Sequence, residues 1–333
     1  MITPNLAPCR PRVSVMMITY NHERFIGQAI ESVLRQETPF DYEVVIGEDR
    51  STDQTSEIVR AFACRHPDRI RAILRPRNIG MHANFIETYL ACQGDYVAVL
   101  EGDDYWTSPH KLQKQVAFLD EHPDCPLCFH KVQVVTDGSE SATSPGHPED
   151  IQRQVGLPEI LAANIVPTAS ILCRNGIVAD LPAWVAVLKM TDWPFCLLHA
   201  LHGPLGFINE SMAAYRIHHG GAWSQLSPLQ QLEARLAFYE RIGPVLGTEF
   251  RTLVDHCLYS TCYCLSLHHR KANNENDARG YARRCLRTSP SLEPWKSNLR
   301  MLIWAAPRSI SNTLACVLPA RVKFGHLKAL EER

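Results

Sequence analysis

A chain of 333 residues is long enough for one large α/β domain with an extension, or for two domains. Apolar residues make up 45% of it and charged residues 21%, ordinary values for a soluble globular protein. A formal net charge of -1 argues against a broad polybasic nucleic-acid surface, and no run of about 18 apolar residues marks a membrane-spanning helix. The opening segment, MITPNLAPCRPR, holds no apolar core of signal-peptide length, so no secretion is expected. The 12 cysteines are scattered, and several lie inside apolar stretches (Cys128, Cys173, Cys257, Cys316), as free thiols of a reducing cytoplasm do. Cys125-Pro-Leu-Cys128 is a lone CxxC without the second ligand pair that a zinc site normally takes.

In chain order, Val13–Ile18 reads as a buried strand, and Phe25, Ile26, Ala29, Ile30, Val33 and Leu34 fall on one face of a helix. Tyr42–Ile46 is a second strand. The helix after it carries Ile58, Val59 and Phe62 inward, with Asp53 or Ser51 as its cap. Ile70–Leu74 is a third strand, followed by a helix with Phe85, Ile86, Tyr89 and Leu90; Tyr96–Leu100 is a fourth. Leu112, Val116 and Leu119 mark another helix, and Cys128–Val135 another strand. Alternation of this kind with short connections predicts a mostly parallel sheet covered on both faces. Thr136–Asp150, rich in Ser, Gly, Pro and acids, reads as an exposed loop, and short strands are expected at Ser170–Cys173, Gly206–Ile208 and Met212–Arg216. From about Pro228 the texture becomes helical, with a polar bend at HHRKANNENDARGYARR. Asn298–Phe324 is apolar but broken by Pro307, Arg308 and Pro319. It suits a helix pair packed on the domain, or an interfacial element touching a membrane.

Ligands of parallel α/β sheets gather at the carboxyl ends of the strands. Three polar clusters are expected there: Thr19–Glu23 after the first strand, Gly47–Asp53 after the second, and Glu101-Gly102-Asp103-Asp104 after the fourth. The last crowds three carboxylates into four positions, and two charges ~5 Å apart repel by roughly 3 kcal/mol at an effective dielectric of ~20. A divalent cation bridging to a diphosphate would offset that repulsion; the same residues also suit a helix N-terminus, and spacing alone leaves both open.

The segments VSVMMITYNHERFIGQAIESVLRQ, VVIGEDRSTDQT, RNIGMHANF and GDYVAVLEGDDYW, in that order over Arg12–His130, resemble the family 2 glycosyltransferases of GT-A fold. A weaker similarity to bacterial polysaccharide-type members continues through MTDWPFCLLHALHGPLGFINESMAAYRIHHGGAWS. The resemblance implies a nucleotide-diphospho-sugar transferase fold over residues 10–225, with a donor half (10–130) and an acceptor half (131–225). A helical extension (226–333) would follow. It implies that Thr19, Tyr20 and Glu23 line the nucleoside pocket and that Asp49 meets the base. Glu101-Gly102-Asp103 stands where the family has Asp-x-Asp, with Glu101 toward the ribose and Asp103 binding Mn²⁺ or Mg²⁺. Arg50 replaces the family's glycine.

In the second half, Asp192 of Thr191-Asp192-Trp193-Pro194 falls where the family has its acidic catalytic base, although the same residues make a good helix start. Trp193 is expected to stack on an acceptor sugar. His218, ahead of two glycines, is expected to contact metal or phosphate, or else to belong to an ordinary polar turn; Trp223 and Ser224 fall in the same loop. The expected activity is inverting, metal-dependent transfer from a nucleotide sugar to a saccharide or lipid-linked acceptor in surface polysaccharide synthesis. The expected setting is the cytoplasm, with possible peripheral contact with the inner face of the membrane through the C-terminal segment. The rivals are a nucleotidyltransferase, whose Gly- and basic-rich triphosphate loop ITYNHERF does not supply, and a non-catalytic nucleotide-sugar-binding protein.

Overall fold

A computed structural model describes residues 10–136, 139–141, 153–178 and 181–288 of the chain. The residues fall into two compact units parted between Gln225 and Leu226.

In the first unit, strand β1 (Val13–Thr19) is buried at every position and is followed by α1 (Ile26–Leu34). Then come β2 (Tyr42–Glu48), α2 (Thr55–Arg65), β3 (Ile70–Leu74), α3 (Met81–Leu90) and β4 (Tyr96–Glu101). The order continues with β5 (Tyr105–Trp106), α4 (Lys111–Glu121), β6 (Leu127–Thr136), β7 (Ser139–Ser141), β8 (Gln154–Val155) and α5 (Leu157–Ala162). It closes with β9 (Leu172–Arg174), α6 (Asp192–Ala200) and β10 (Leu205–Ile217). One sheet joins them in the order β3-β2-β1-β4-β9-β6-β10-β5, with β7 on β6 and β8 on β10.

β1, β2, β3 and β4 are mutually parallel, as their right-handed crossovers through helices require, and β6 runs parallel to β10. β9 is antiparallel to both β4 and β6 and welds the two parallel blocks into one sheet. One face packs Val13, Val15 and Met17 against Ile26, Ala29, Ile30 and Val33 of α1 and Val59 and Phe62 of α2. On the other, Phe85 and Tyr89 of α3 meet Phe195 of α6 edge-to-face, with ring centroids 5.4 and 5.3 Å apart. The parallel register sets Thr19 beside Glu48 and Ile18 beside Glu101, so the polar clusters that follow β1, β2 and β4 share one edge.

Four local expectations change. Tyr105 and Trp106 form a strand antiparallel to β10, pairing with Ala214 and Ala213, where a helix start was an alternative. The two short strands expected at 206–208 and 212–216 are one long strand, whose pairing with β6 slips between Ile208 and Ala213. That slip is a bulge: extra backbone that breaks the hydrophobic alternation and imitates a loop. Part of the expected exposed loop, Ser139–Ser141, pairs with the end of β6; most of the rest lies outside the described residues. Asp53 takes the Thr55 amide of α2 (3.0 Å), one residue ahead of the helix's own cap, Gln54.

The second unit holds α7 (Pro228–Ile242), α8 (Arg251–Lys271) and α9 (Glu275–Thr288) around Leu236, Tyr259, Cys262, Leu265, Ala282 and Cys285. Ser227 and Gln230 close a reciprocal capping box ahead of Pro228. The expected polar bend shrinks to the few residues between α8 and α9, where Asn273 takes φ 57°. Asn298–Phe324 lies outside the described residues, and among those described no helix is long and apolar enough to cross a membrane.

α4 opens on a fully buried lysine. Lys111 Nζ sits 4.2 Å from the centroid of the Trp106 ring and donates to Gln115 Oε1 at 2.6 Å. Burial pushes its ammonium down to about 7. The unfolded chain therefore binds more protons than the folded one above that pH, so this group's cost is full below pH 7 and is relieved as pH rises. Between pH 7 and about 8.5, wild type should gain on the order of 1–2 kcal/mol relative to Lys111→Met, measured by urea unfolding at each pH.

Candidate active site

The loops after β1 and β2 are bound to each other before any ligand is considered. Asn21 N–H donates to Ser51 Oγ (3.0 Å), and Asn21 Oδ1 accepts from Thr52 N–H (2.8 Å). Glu23 N–H donates to Asp53 Oδ2 (3.1 Å) while Glu23 Oε2 accepts from Gln54 N–H (2.9 Å). Two non-glycine residues in these loops are left-handed, Asn21 at φ 56° and Arg50 at φ 60°. Arg50 thus keeps the backbone form for which glycine is the usual choice, at a cost of about 1–2 kcal/mol.

The resemblance implied nucleoside contacts for four of these residues, and the structure occupies three of them with architecture. Asp49 is buried, and its two carboxylate oxygens accept from Ile79 N–H (2.8 Å) and Gly80 N–H (2.9 Å), holding the β3–α3 loop. Thr19 is buried, with Oγ1 3.3 Å from His22 Nδ1. Glu23 is part of the loop-to-loop staple. Tyr20, 41% exposed, presents its ring at the surface of this edge. Glu48, which the sequence offered only as part of a motif, is buried and accepts from Ser51 N–H (2.6 Å) and Ser56 Oγ (3.1 Å).

The acids after β4 take three different environments. Asp104 is buried and its Oδ1 accepts the Arg216 amide (2.8 Å), tying the end of β10 to this turn. Arg216 adds a contact from its guanidinium to the Asp103 carbonyl and stacks over the Tyr105 ring at 4.3 Å. Asp103 Oδ2 lies 3.0 Å from His218 Nε2 and 3.7 Å from His22 Nε2. His218 Nδ1 accepts from Gly220 N–H (3.1 Å), so its proton is on Nε2 and points at Asp103. Glu101 accepts no hydrogen bond at its carboxyl from any described residue.

Charge is distributed unequally as a result. Burial, together with the neighbouring acids, pushes Glu101 and Asp104 well above the usual carboxylate range. Burial opposes ionisation of Asp103 too, but the His218 hydrogen bond and the two imidazoles outweigh it, and its pKa falls below the ordinary value. Of the three acids, Asp103 is the one whose neighbours favour its charged form.

The second half brings Asp192 to the same place. It is the first residue of α6, its Oδ2 accepts from Asn164 Nδ2 (2.9 Å), and it stands within electrostatic reach of Glu101. Burial raises its pKa, with Asn164 and the first amides of α6 opposing. Tyr215 of β10 feels Asp104, Glu101, Asp103 and Asp192 together, and burial with these acids drives its phenol pKa up.

One expectation is overturned. Trp193 is only 2% exposed and its Nε1 donates to the Ile160 carbonyl (2.6 Å), so it pins α6 to α5 and has no face for a sugar. Pattern reading missed His22, Arg216, Asn164, His82 and Tyr215. His22, His82, Tyr215 and Arg216 lie inside the quoted motifs, and Asn164 lies outside them. Asn164 and His82 bond to partners 28 and 109 residues away, which no local pattern signals.

Asp103 and His218 form a carboxylate–imidazole pair of the type that takes Mn²⁺ or Mg²⁺ with substrate oxygens completing the shell. Among the described residues no group of three or more His, Cys, Asp or Glu side chains is arranged to hold a metal by protein ligands alone.

A mixed sheet of this order, with acids from two strand ends and a helix start converging at one edge, defines a transferase of the GT-A type. The chain belongs to glycosyltransferase family 2: the model described as Glycosyl transferase family 2 matches residues 14–161. It is 41% identical over 245 residues to the uncharacterized protein Rv1520 of Mycobacterium tuberculosis, covering 73% of this chain and 68% of that one. Among solved structures, Staphylococcus aureus TarS (residues 1–349) in complex with UDP superposes with a TM-score of 0.61 at 18% identity, over 94% of each chain. The mannosyltransferase PcManGT of Pyrobaculum calidifontis, in complex with GDP-Man and Mn²⁺, gives 0.58 at 18% identity, over 92% of this chain and 84% of that one. These likenesses show the fold.

Gly102 is where the β1 and β4 loops close on each other, since a Cβ there would stand 2.6 Å from Thr19 Oγ1 and 3.0 Å from His22 Nδ1. Gly102→Ala should therefore cost about 1–3 kcal/mol in urea unfolding, from overpacking against buried Thr19.

Proposed function

We propose that this enzyme transfers a glycosyl group, with inversion, from a nucleotide-diphosphate sugar held over the ends of β1, β2 and β4 to a hydroxyl of a saccharide or lipid-linked acceptor. The observation that carries this reading is the approach of Asp192, from the second half of the sheet, to the Glu101–Asp103 cluster of the first. A base on one side and a charge-compensated diphosphate site on the other is the arrangement that in-line displacement at an anomeric carbon needs.

The nucleoside lies along the stapled β1–α1 and β2–α2 loops, against Tyr20, with the carboxyl of Glu101 facing the ribose. Asp103 and His218 are the residues that would hold Mn²⁺ or Mg²⁺, which when bound supplies positive charge against the leaving diphosphate. The Asp192 carboxylate accepts the acceptor hydroxyl proton as the new bond to C1 forms and the C1–O bond to the diphosphate breaks. Its buried setting, which raises its pKa, makes it a stronger base than an exposed aspartate. The PcManGT and TarS structures, crystallised with GDP-Man and Mn²⁺ and with UDP, support a nucleotide-diphosphate donor and a divalent cation. The sequence resemblance supports surface polysaccharide as the pathway, at the cytoplasmic face of the membrane.

A thermal-shift screen of UDP-GlcNAc, UDP-glucose and GDP-mannose with Mn²⁺ should give one donor that raises Tm. Asp103→Ala should abolish the Mn²⁺-dependent part of that shift; an unchanged shift would remove Asp103 as the metal ligand. Asp192→Asn should keep the shift and lower turnover about 10²–10⁴-fold. Undiminished turnover in that variant would exclude Asp192 as the base.

A further inference from the structure

His82 lies in the first turn of α3, beyond the residues assigned to donor, metal or base, yet it reaches the segment that carries Asp192. Its Nε2 is 2.5 Å from the Leu188 carbonyl oxygen and its Nδ1 is 2.5 Å from Thr191 Oγ1. A carbonyl oxygen only accepts, so Nε2 carries the proton and the Thr191 hydroxyl donates to the bare Nδ1. Burial lowers the His82 pKa, in keeping with a neutral ring that can do both. The imidazole thus spans the last turn before α6 and fastens it at two points three residues apart.

Thr191 holds the N-cap position of α6, where a threonine hydroxyl ordinarily accepts from the first amides of its own helix. No such bond forms here. The hydroxyl is spent on His82, so this contact serves the placement of the helix start rather than its capping. The next residue is Asp192, whose carboxylate draws on Asn164 and on the amides of the first turn. The other end of the tether is equally fixed. α3 begins at Met81, directly after Gly80, and the Asp49 carboxylate grips the Ile79 and Gly80 amides.

We propose that His82 is a positioning residue for Asp192, holding the Leu188–Thr191 turn so that the Asp192 carboxylate stands at the acceptor hydroxyl. The assignment rests on Asp192 as the base. It also ties the acid beside the nucleoside loop to the base through four residues of chain, Ile79 to His82.

The test compares wild type with His82→Phe, His82→Gln, Thr191→Val, the His82→Phe/Thr191→Val pair, and Asp192→Asn. The readouts are steady-state hydrolysis of UDP-GlcNAc to UDP or of GDP-mannose to GDP with Mn²⁺, with water taking the glycosyl group in place of the acceptor hydroxyl, and the donor-induced Tm shift. His82→Phe and Thr191→Val should each lower kcat about 10–100-fold, the scale of a misplaced catalytic group. Donor KM and Tm shift should stay within about twofold of wild type, since a positioning residue leaves donor binding intact. The double variant should be no worse than the more damaged single one, because both remove the same tether. His82→Gln, whose amide keeps one donor and one acceptor, should recover part of the loss. If His82→Phe turns over at the wild-type rate while Asp192→Asn is inactive, the positioning role is wrong and the base stands. If Asp192→Asn turns over normally, both fall. A loss in donor Tm shift that matches the loss in kcat would make His82 part of donor binding and overturn the proposal. Should His82→Phe fail to fold, the near-isosteric Thr191→Val decides alone.

Discussion

Three carboxyl groups within four residues at the end of a buried strand repel one another when ionised, and much of this site follows from how that repulsion is offset. Each acid receives a different neighbour. Asp104 Oδ1 takes a backbone amide of β10 while its Oδ2 has no hydrogen-bond partner among the described residues, Asp103 faces two imidazoles, and burial with the neighbouring acids raises the pKa of Glu101. The neighbours come from distant parts of the chain: His22 from the first loop, Arg216 and His218 from the end of the last strand. Meeting the needs of one acidic turn therefore closes the sheet, since β10 must run beside β6 and end over β4's loop to deliver them.

The loops that the family resemblance assigns to the nucleoside are dominated by bonds to one another. Asp49 and Glu23 spend carboxylate oxygens on backbone amides of adjacent loops, and Glu48 spends its own on the Ser51 amide and the Ser56 hydroxyl that follow it. Carboxylates used in this way set the shape of a pocket, and the entropy of ordering those loops is settled at folding rather than at binding. Of the residues that the resemblance assigns to the nucleoside, Tyr20 and Glu101 are the ones whose side chains are not spent on such bonds. The left-handed backbone at Arg50 belongs to the same economy: the turn is kept although the residue is not glycine, because bonds on both sides of it hold the path.

Hydrophobic periodicity was enough to read β1 to β4 and the helices between them, because each is a single period bounded by a polar cluster. The same clusters could be placed on one edge of the sheet, since strand direction in a parallel sheet follows from the crossovers alone. Periodicity failed where backbone geometry interrupts it. The bulge in β10 split one strand into two, and Tyr105–Trp106, adjoining so many helix-start residues, gave no sign of pairing with a strand a hundred residues later. Trp193 shows the limit for side chains. An aromatic beside a candidate base looks like a sugar platform in sequence, and only its bond to the Ile160 carbonyl shows it facing inward. His82 was illegible for the same reason, as its role is defined by Leu188 and Thr191 and by nothing near it in the chain.

The bulge of β10 also sets a phase. Side chains of a strand alternate between two faces, and the slip between Ile208 and Ala213 decides which of them Tyr215, and beyond it Arg216 and His218, will take. The strand pairs with β6 on both sides of the slip; upstream it also takes β8, and downstream it also takes β5 and the acidic turn. The irregular residues Asn209–Ser211 therefore act as a spacer between two separately specified registers. A single insertion or deletion there would exchange every side chain delivered to the cleft while leaving the apolar start of the strand in place, so chain length at this point carries chemical information that residue identity does not.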